Sequence, residues 1–255
     1  MSLFDELERL IESGGRGVVL TVVAGEGVGA KLLVREDGST AGDGPADLAE
    51  LAPDALRRGV GHVIKQDERT VFADVFGPPP RLFVYGAVDT AESLCRVAKT
   101  LGWTTVVADA RPRFATPERI PSADELLLLW PEEALAHVAP DSSTAILVLT
   151  HDDKFDLPML TGALASDAFY IGALGSRRNQ ERRRGVLLES GVAEDDLDRI
   201  AGPAGLDIGA DTPAETAFSM LAEILAVRTG RSGGRLKDSR NRIHAEPVQA
   251  GSNKK

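Results

Sequence analysis

The sequence predicts an α/β protein: a parallel sheet flanked by helices, preceded by a small N-terminal α+β domain. Three observations carry that prediction. From Arg81 onward, short β-rich apolar runs alternate with helical patterns, as in RLFVYG followed by AVDTAESLCRVAKTLG, and such alternation builds a parallel sheet. Several runs end in polar or glycine-containing residues where a helix begins, notably AILVLT before HDDKFDLPML and FYIGALGS before RRNQERR. Open α/β sheets place their ligands at such points. AILVLT itself is almost wholly apolar, as a strand covered on both faces requires.

Composition bounds the rest. With 255 residues, 43% of them hydrophobic, the chain suffices for one ordinary domain and a smaller one. A net charge of -10 argues against general binding to nucleic acid or anionic membrane. The single cysteine, Cys95, excludes an intramolecular disulfide and a thiolate-rich metal site. The N-terminus MSLFDELERLIESGG is acidic and amphipathic, unlike a signal peptide, and no apolar run reaches bilayer-spanning length. A cytoplasmic protein is the expectation.

In chain order, Leu3, Phe4, Leu7, Leu10 and Ile11 stand at helical spacing and end at Gly14-Gly15. GVVLTVVAGEGVGAKLLVREDGST reads as two strands joined by a glycine-rich loop. A phosphate cradle at Gly25, Gly27 and Gly29 fits less well, because the lysine-serine ending of a P-loop is absent. Residues 42–60 are expected to form a helix and 62–78 one or two strands. The linker is placed at Gly77-Pro78-Pro79-Pro80, which sets domains at 1–77 and 81–228 and a flexible tail at 229–255.

Beyond the linker, RLFVYG is a strand. Leu94, Val97, Ala98 and Leu101 give the next helix its buried face, with Cys95 semi-buried among them. WTTVVADARPRF is the second strand, and ADELLLLWPEEALAHV a third strand with a helix started by Pro131. His137 on that helix has no metal-ligand partner in sequence. GLDI is read as a further strand, and the helix from Pro213 is expected to bury Ala217, Phe218, Leu221, Ile224 and Leu225.

The first loop of this pattern, Gly86-Ala87-Val88-Asp89, keeps the first glycine of a dinucleotide fingerprint but has Val88 for the middle one. Asp109 lies 23 residues beyond Gly86, near where an acidic residue holds a ribose hydroxyl. A working NAD(P) site, weakened by Val88, and a nucleotide-type fold without nucleotide both remain open. His151 and Asp152 follow AILVLT and suit acid–base chemistry, ligand binding or helix capping. Asp156 reads equally as ligand group or N-cap. Ser176 is a candidate N-cap, and Arg177 and Arg178 occupy a helix start where cations are disfavoured. An anion would offset that cost, so Gly175, Ser176, Arg177 and Arg178 read as a phosphate or carboxylate clamp. Arg182, Arg183 and Arg184 read as a solvated face. Thr212 opens a capping box with Glu215.

The stretches LTHDDKFDLPML, YIGALGSRR, GLDIGADTPAETAFSMLAEI and DARPRFATPERIP resemble the signatures of the xanthine dehydrogenase accessory (XdhC/CoxI) family, in the same order. The resemblance runs from about Arg81 to Arg228. It implies a Rossmann-like domain, frequently dimeric, that binds molybdenum cofactor (molybdopterin) and delivers it, sulfurated, to a molybdenum hydroxylase apo-enzyme of xanthine or carbon monoxide dehydrogenase type. A cysteine desulfurase is a further implied partner. Gly86, Ala87, Asp109, Arg111, His151, Asp152, Asp156, Gly172, Gly175, Ser176, Arg177 and Arg178 become cofactor-site candidates, supported by Asp207 and Thr212. Two departures stand out. The family's Gly-Ala-Gly-His loop is Gly86-Ala87-Val88-Asp89 here. Its N-terminal Gly-Ser-x-Pro-Arg stretch and glycine-flanked cysteine are replaced by AGEGVGAK and GSTAGDGP. Besides cofactor delivery, an NAD(P)-dependent oxidoreductase and a non-catalytic scaffold are alternatives.

Overall fold

The computed structural model describes residues 2–66 and 68–239, and these form two compact units. One comprises the chain up to Pro78 together with 234–239; the other is Pro79–Gly233.

The first unit is an antiparallel sheet with helices. Helix α1 (Leu3–Glu12) is capped by Ser2. Strands β1 (Gly17–Ala24), β2 (Lys31–Arg35), β3 (Thr40–Gly42), β4 (His62–Gln66) and β5 (Arg69–Phe76) pair in the order β3-β2-β1-β5-β4. The expected 42–60 helix is interrupted. A short strand precedes it, a 3-10 turn fills Ala46–Leu51, and α2 is only Ala52–Arg58. The glycine-rich loop joins β1 to β2, with Gly29 donating its N–H to Val22 O.

The second unit is a six-stranded, fully parallel sheet. Its elements are β6 (Arg81–Tyr85), α3 (Asp89–Thr100), β7 (Thr104–Ala108), β8 (Glu125–Leu127), α4 (Pro131–Val138), β9 (Thr144–Val148), α5 (Asp153–Leu164), β10 (Tyr170–Ala173), α6 (Arg177–Glu189), α7 (Glu194–Leu197), β11 (Ile200–Ala201) and α8 (Pro213–Thr229). The order β11-β10-β9-β6-β7-β8 is that of a dinucleotide-binding sheet.

Alternation along the strands assigns the faces. Leu82 and Val84 join Leu94, Cys95 and Ala98 of α3 and Met220, Leu221 and Ile224 of α8. Phe83 and Tyr85 join Ala134 of α4, Met159 and Leu160 of α5, and Leu187 of α6. Both faces are thus covered, which is why β9 is buried at every residue and reads as apolar.

Several details differ from the sequence reading. GLDI forms no strand; the sixth strand is the two-residue β11, upstream of it. Phe218 and Leu101, expected inside, are 58% and 42% exposed. Cys95 is completely buried rather than half-buried. His137 sets its Nε2 2.7 Å from Glu125 Oε1 on the surface. The expected tail holds the end of α8, capped by Gly230, and a 3-10 turn at Leu236–Asp238; from 240 onward it lies outside the described residues. No described helix is long and apolar enough to cross a membrane.

Candidate functional site

The order of strands reverses between β6 and β9, and the carboxyl ends of those strands define the crevice where such sheets hold ligands. Here the two chain segments come very close. Gly86 has φ +114°, and a Cβ on it would lie 3.0 Å from Thr150 Cγ2 and 3.1 Å from the Leu149 carbonyl carbon. No side chain fits there.

Asp109 follows β7 and is buried. Its Oδ2 accepts from Ala87 N–H at 2.9 Å and Arg111 Nη2 at 2.7 Å, and its Oδ1 accepts from Arg111 N and Nε, both at 2.9 Å. Burial alone would raise its pKa; the bonds from Arg111 and Ala87 outweigh it and hold the carboxyl below the ordinary carboxylate value. Four donors fill the positions a carboxylate offers. The acid that spacing placed at a ribose is therefore spent on clasping the first loop to the end of β7.

At the end of β9, Thr150 is buried and its hydroxyl donates to Asp156 Oδ1. His151 is exposed at φ +62°, a left-handed conformation that non-glycine residues rarely take. Asp152, exposed, is the N-cap of α5 and accepts from Lys154 N at 3.1 Å. Asp156 is not a cap. It is buried a turn further in, with Oδ2 2.6 Å from Arg183 Nη2. Arg183, read from sequence as solvated, is likewise buried. Its Nη1 donates to Gln180 Oε1 at 2.7 Å, and Gln180 Nε2 donates to Ala173 O at 3.0 Å. This chain of contacts ties the ends of β9 and β10 to α5 and α6. Removing one charge from such a buried pair costs about 3–5 kcal/mol.

At the end of β10, Gly172 lies within the strand. A Cβ on it would stand 2.7 Å from Tyr170 Cε1 and 2.8 Å from Leu147 Cδ2, so packing requires the glycine. Gly175 has φ +141°, and Ser176 caps α6 by accepting from Asn179 N at 3.3 Å. Arg177 and Arg178 are exposed and have no acidic partner among the described residues. The later arginines differ: Arg182 pairs with Asp153, and Arg184 with Asp198 and Glu194. Asp207 is exposed and makes no bond to the other candidates, while Thr212 caps α8 and accepts from Glu215 N at 3.2 Å. A cleft of about 320 Å³ runs between α6, α7 and β11, lined by Arg177, Gln180, Leu187, Leu197, Ile200 and Pro203. It lies at the sheet edge, two strands from the reversal.

The sequence model of the XdhC Rossmann domain matches residues 82–224, more than half of the chain. The chain belongs to the XdhC family. It is 30% identical, over 92% of its length, to the protein YqeB of Escherichia coli strain K12. It is 32% identical over 66% to a probable xanthine dehydrogenase subunit of Bacillus subtilis strain 168, and 31% over 60% to the molybdenum cofactor insertion chaperone PaoD of E. coli strain K12. The aligned regions cover 48%, 49% and 42% of those proteins, so the chain spans about half the length of the curated relatives it matches. A crystal structure described as a xanthine dehydrogenase from Bacillus halodurans superposes with a TM-score of 0.53 at 20% identity, covering 94% of this chain and 98% of that one. That likeness establishes the fold.

Within this XdhC Rossmann domain, sequence reading missed Thr150, Gln180 and Arg183. A helical signal for the last two existed. Gln180, Arg183 and Leu187 fall at i, i+3 and i+7, so a core-facing Leu187 carries Arg183 onto the buried face.

Proposed function

We propose that the protein is an accessory factor that binds molybdenum cofactor and passes it to the apo-form of a molybdenum hydroxylase. The observation that carries this reading is the start of α6. Arg177 and Arg178 stand in its first turn without an acidic partner among the described residues, beside the backbone N–H groups that a helix start leaves free. Two cations against the positive end of a helix dipole oppose one another unless an anion sits between them. The terminal phosphate of molybdopterin supplies such an anion, and His151 and Asp152 offer polar groups at the neighbouring strand end. The cofactor is cargo in this scheme, and the chain supplies binding and orientation. The relatives named for molybdenum cofactor insertion and for xanthine dehydrogenase support the reading.

Sulfur transfer is a different matter. The one cysteine of the chain lies fully inside the sheet–helix core, and burial pushes its thiol up to about 12. Sulfur from a cysteine desulfurase therefore has no accessible thiol to pass through on this chain.

Anaerobic titration of the purified protein with molybdenum cofactor, beside a parallel titration with NADH, tests the proposal. Saturable cofactor binding without NADH binding is expected. NADH binding alone would replace the carrier with an oxidoreductase, and binding of neither would leave a scaffold.

A further inference from the structure

We propose that the cleft beside α6 is a site for a free α-amino acid with an apolar side chain. The cleft holds about 320 Å³, at the small end of the range that ligand pockets occupy. It lies at the β11 edge of the parallel sheet, away from the strand reversal between β6 and β9. Its lining has an apolar part and a charged part, and each selects one portion of the ligand.

The apolar part is made by Leu187 of α6, Leu197 of α7, Ile200 of β11 and Pro203. Leu187 and Leu197 are buried, Ile200 is half-buried and Pro203 is exposed. Apolar surface therefore runs from the core out to solvent. A short aliphatic or aromatic side chain laid along it would leave water, which favours its binding.

The charged part belongs to α6. Arg177 and Glu181 both line the cleft and stand at i and i+4, where the side chains of a helix are neighbours. Both are exposed, and neither has an ion pair among the described residues. A cation N-terminal to an anion is also the weaker order for a pair at this spacing. Arg184, which lines the cleft too, is taken by Asp198 and Glu194. In the wall, Arg183 is 3% exposed, and its Nη1 and Nη2 donate to Gln180 and Asp156. Its Nε is buried and has no acceptor, so this wall is short of oxygen atoms. An α-carboxylate suits Arg177 and an α-ammonium suits Glu181. No ligand of a single charge sign satisfies both. Arg177 also belongs to the clamp proposed for the cofactor, but Glu181 and the apolar residues do not, and the amino-acid site does not rest on that reading.

The test is calorimetric titration of the full chain with L-leucine, L-methionine and L-phenylalanine. Three partial ligands accompany them: 4-methylpentanoate lacks the ammonium, 3-methylbutylamine lacks the carboxylate, and glycine lacks the side chain. Saturable binding of at least one of the three amino acids is expected, with each partial ligand at least about tenfold weaker. Glu181→Gln, a change at an exposed position, should weaken the bound amino acid about tenfold and leave 4-methylpentanoate no weaker than before. Binding of none of the three amino acids overturns the proposal. So does 4-methylpentanoate binding as tightly as leucine, or an amino-acid affinity unchanged in Glu181→Gln. Molybdenum cofactor titrated in parallel keeps the two readings apart. Cofactor binding without amino-acid binding removes the cleft site alone, and amino-acid binding without cofactor binding removes the carrier alone.

Discussion

Asp109 shows how a residue can be located by sequence and have its role reversed by its neighbours. Spacing from Gly86 put an acid at the end of β7, but the sequence does not show that Arg111 folds back to fill both of its oxygens. Asp109→Asn should cost roughly 2–4 kcal/mol at neutral pH, because Arg111 and the Ala87 N–H lose a charged acceptor. The folded-state pKa is depressed, so the wild-type advantage is full above the ordinary carboxylate value of 3.8 and shrinks progressively as pH falls from there through the lower folded-state pKa. Urea unfolding of both proteins from pH 7 to pH 3 should show the two curves converging at the acid end; a gap that stays constant would remove the clasp. Cys95 makes a second residue-scale prediction. A buried thiol with so high a pKa reacts only through unfolding, so a disulfide reagent should label native protein at least about a hundredfold more slowly than urea-denatured protein. Rapid native labelling would mean that the helix α3 face opens.

At the scale of elements, strands and helices with several turns or a full apolar run were legible. The apolar runs of β6 and β9 are strands buried on both faces, and the periods of α3 and α8 mark their buried faces except at Leu101 and Phe218. The failures were short or two-sided. β3 and β11 contribute three and two residues, too few to establish a period. Phe218 lies beside the true stripe of Ala217, Leu221 and Ile224 yet is turned outward on α8. Asp156 and Arg183 lie 27 residues apart on two helices, so nothing local could announce their pairing. The clamp proposed at α6 rests on a broken local rule that the sequence displays: two arginines occupy a helix start. That violation predicts opposite signs for stability and binding. Arg177→Ala with Arg178→Ala should leave thermal stability unchanged or raise it by about 0.3–1 kcal/mol per charge, while affinity for molybdenum cofactor falls about tenfold or more. Thermal melts and the anaerobic titration measure both. A destabilised variant with unchanged affinity would show that the arginines serve packing instead.

For the whole molecule, the distribution of core residues decides what can stand alone. The two apolar layers of the parallel sheet draw only on residues between Leu82 and Leu225, and the clusters of the other unit draw only on residues between Leu3 and Phe76. A fragment of 79–233 therefore keeps the described apolar layers of this unit and all six parallel strands with the helices on both faces. At that size it can bury the surface that an independent domain requires. The residues proposed for the clamp at α6 also lie within it. Expressed alone, the fragment should unfold in one cooperative transition and bind molybdenum cofactor within about twofold of the full chain, since it retains every residue proposed for the site. A fragment that folds but loses affinity would show that the antiparallel unit completes the site. One that does not fold would show that the parallel sheet depends on that unit for its stability.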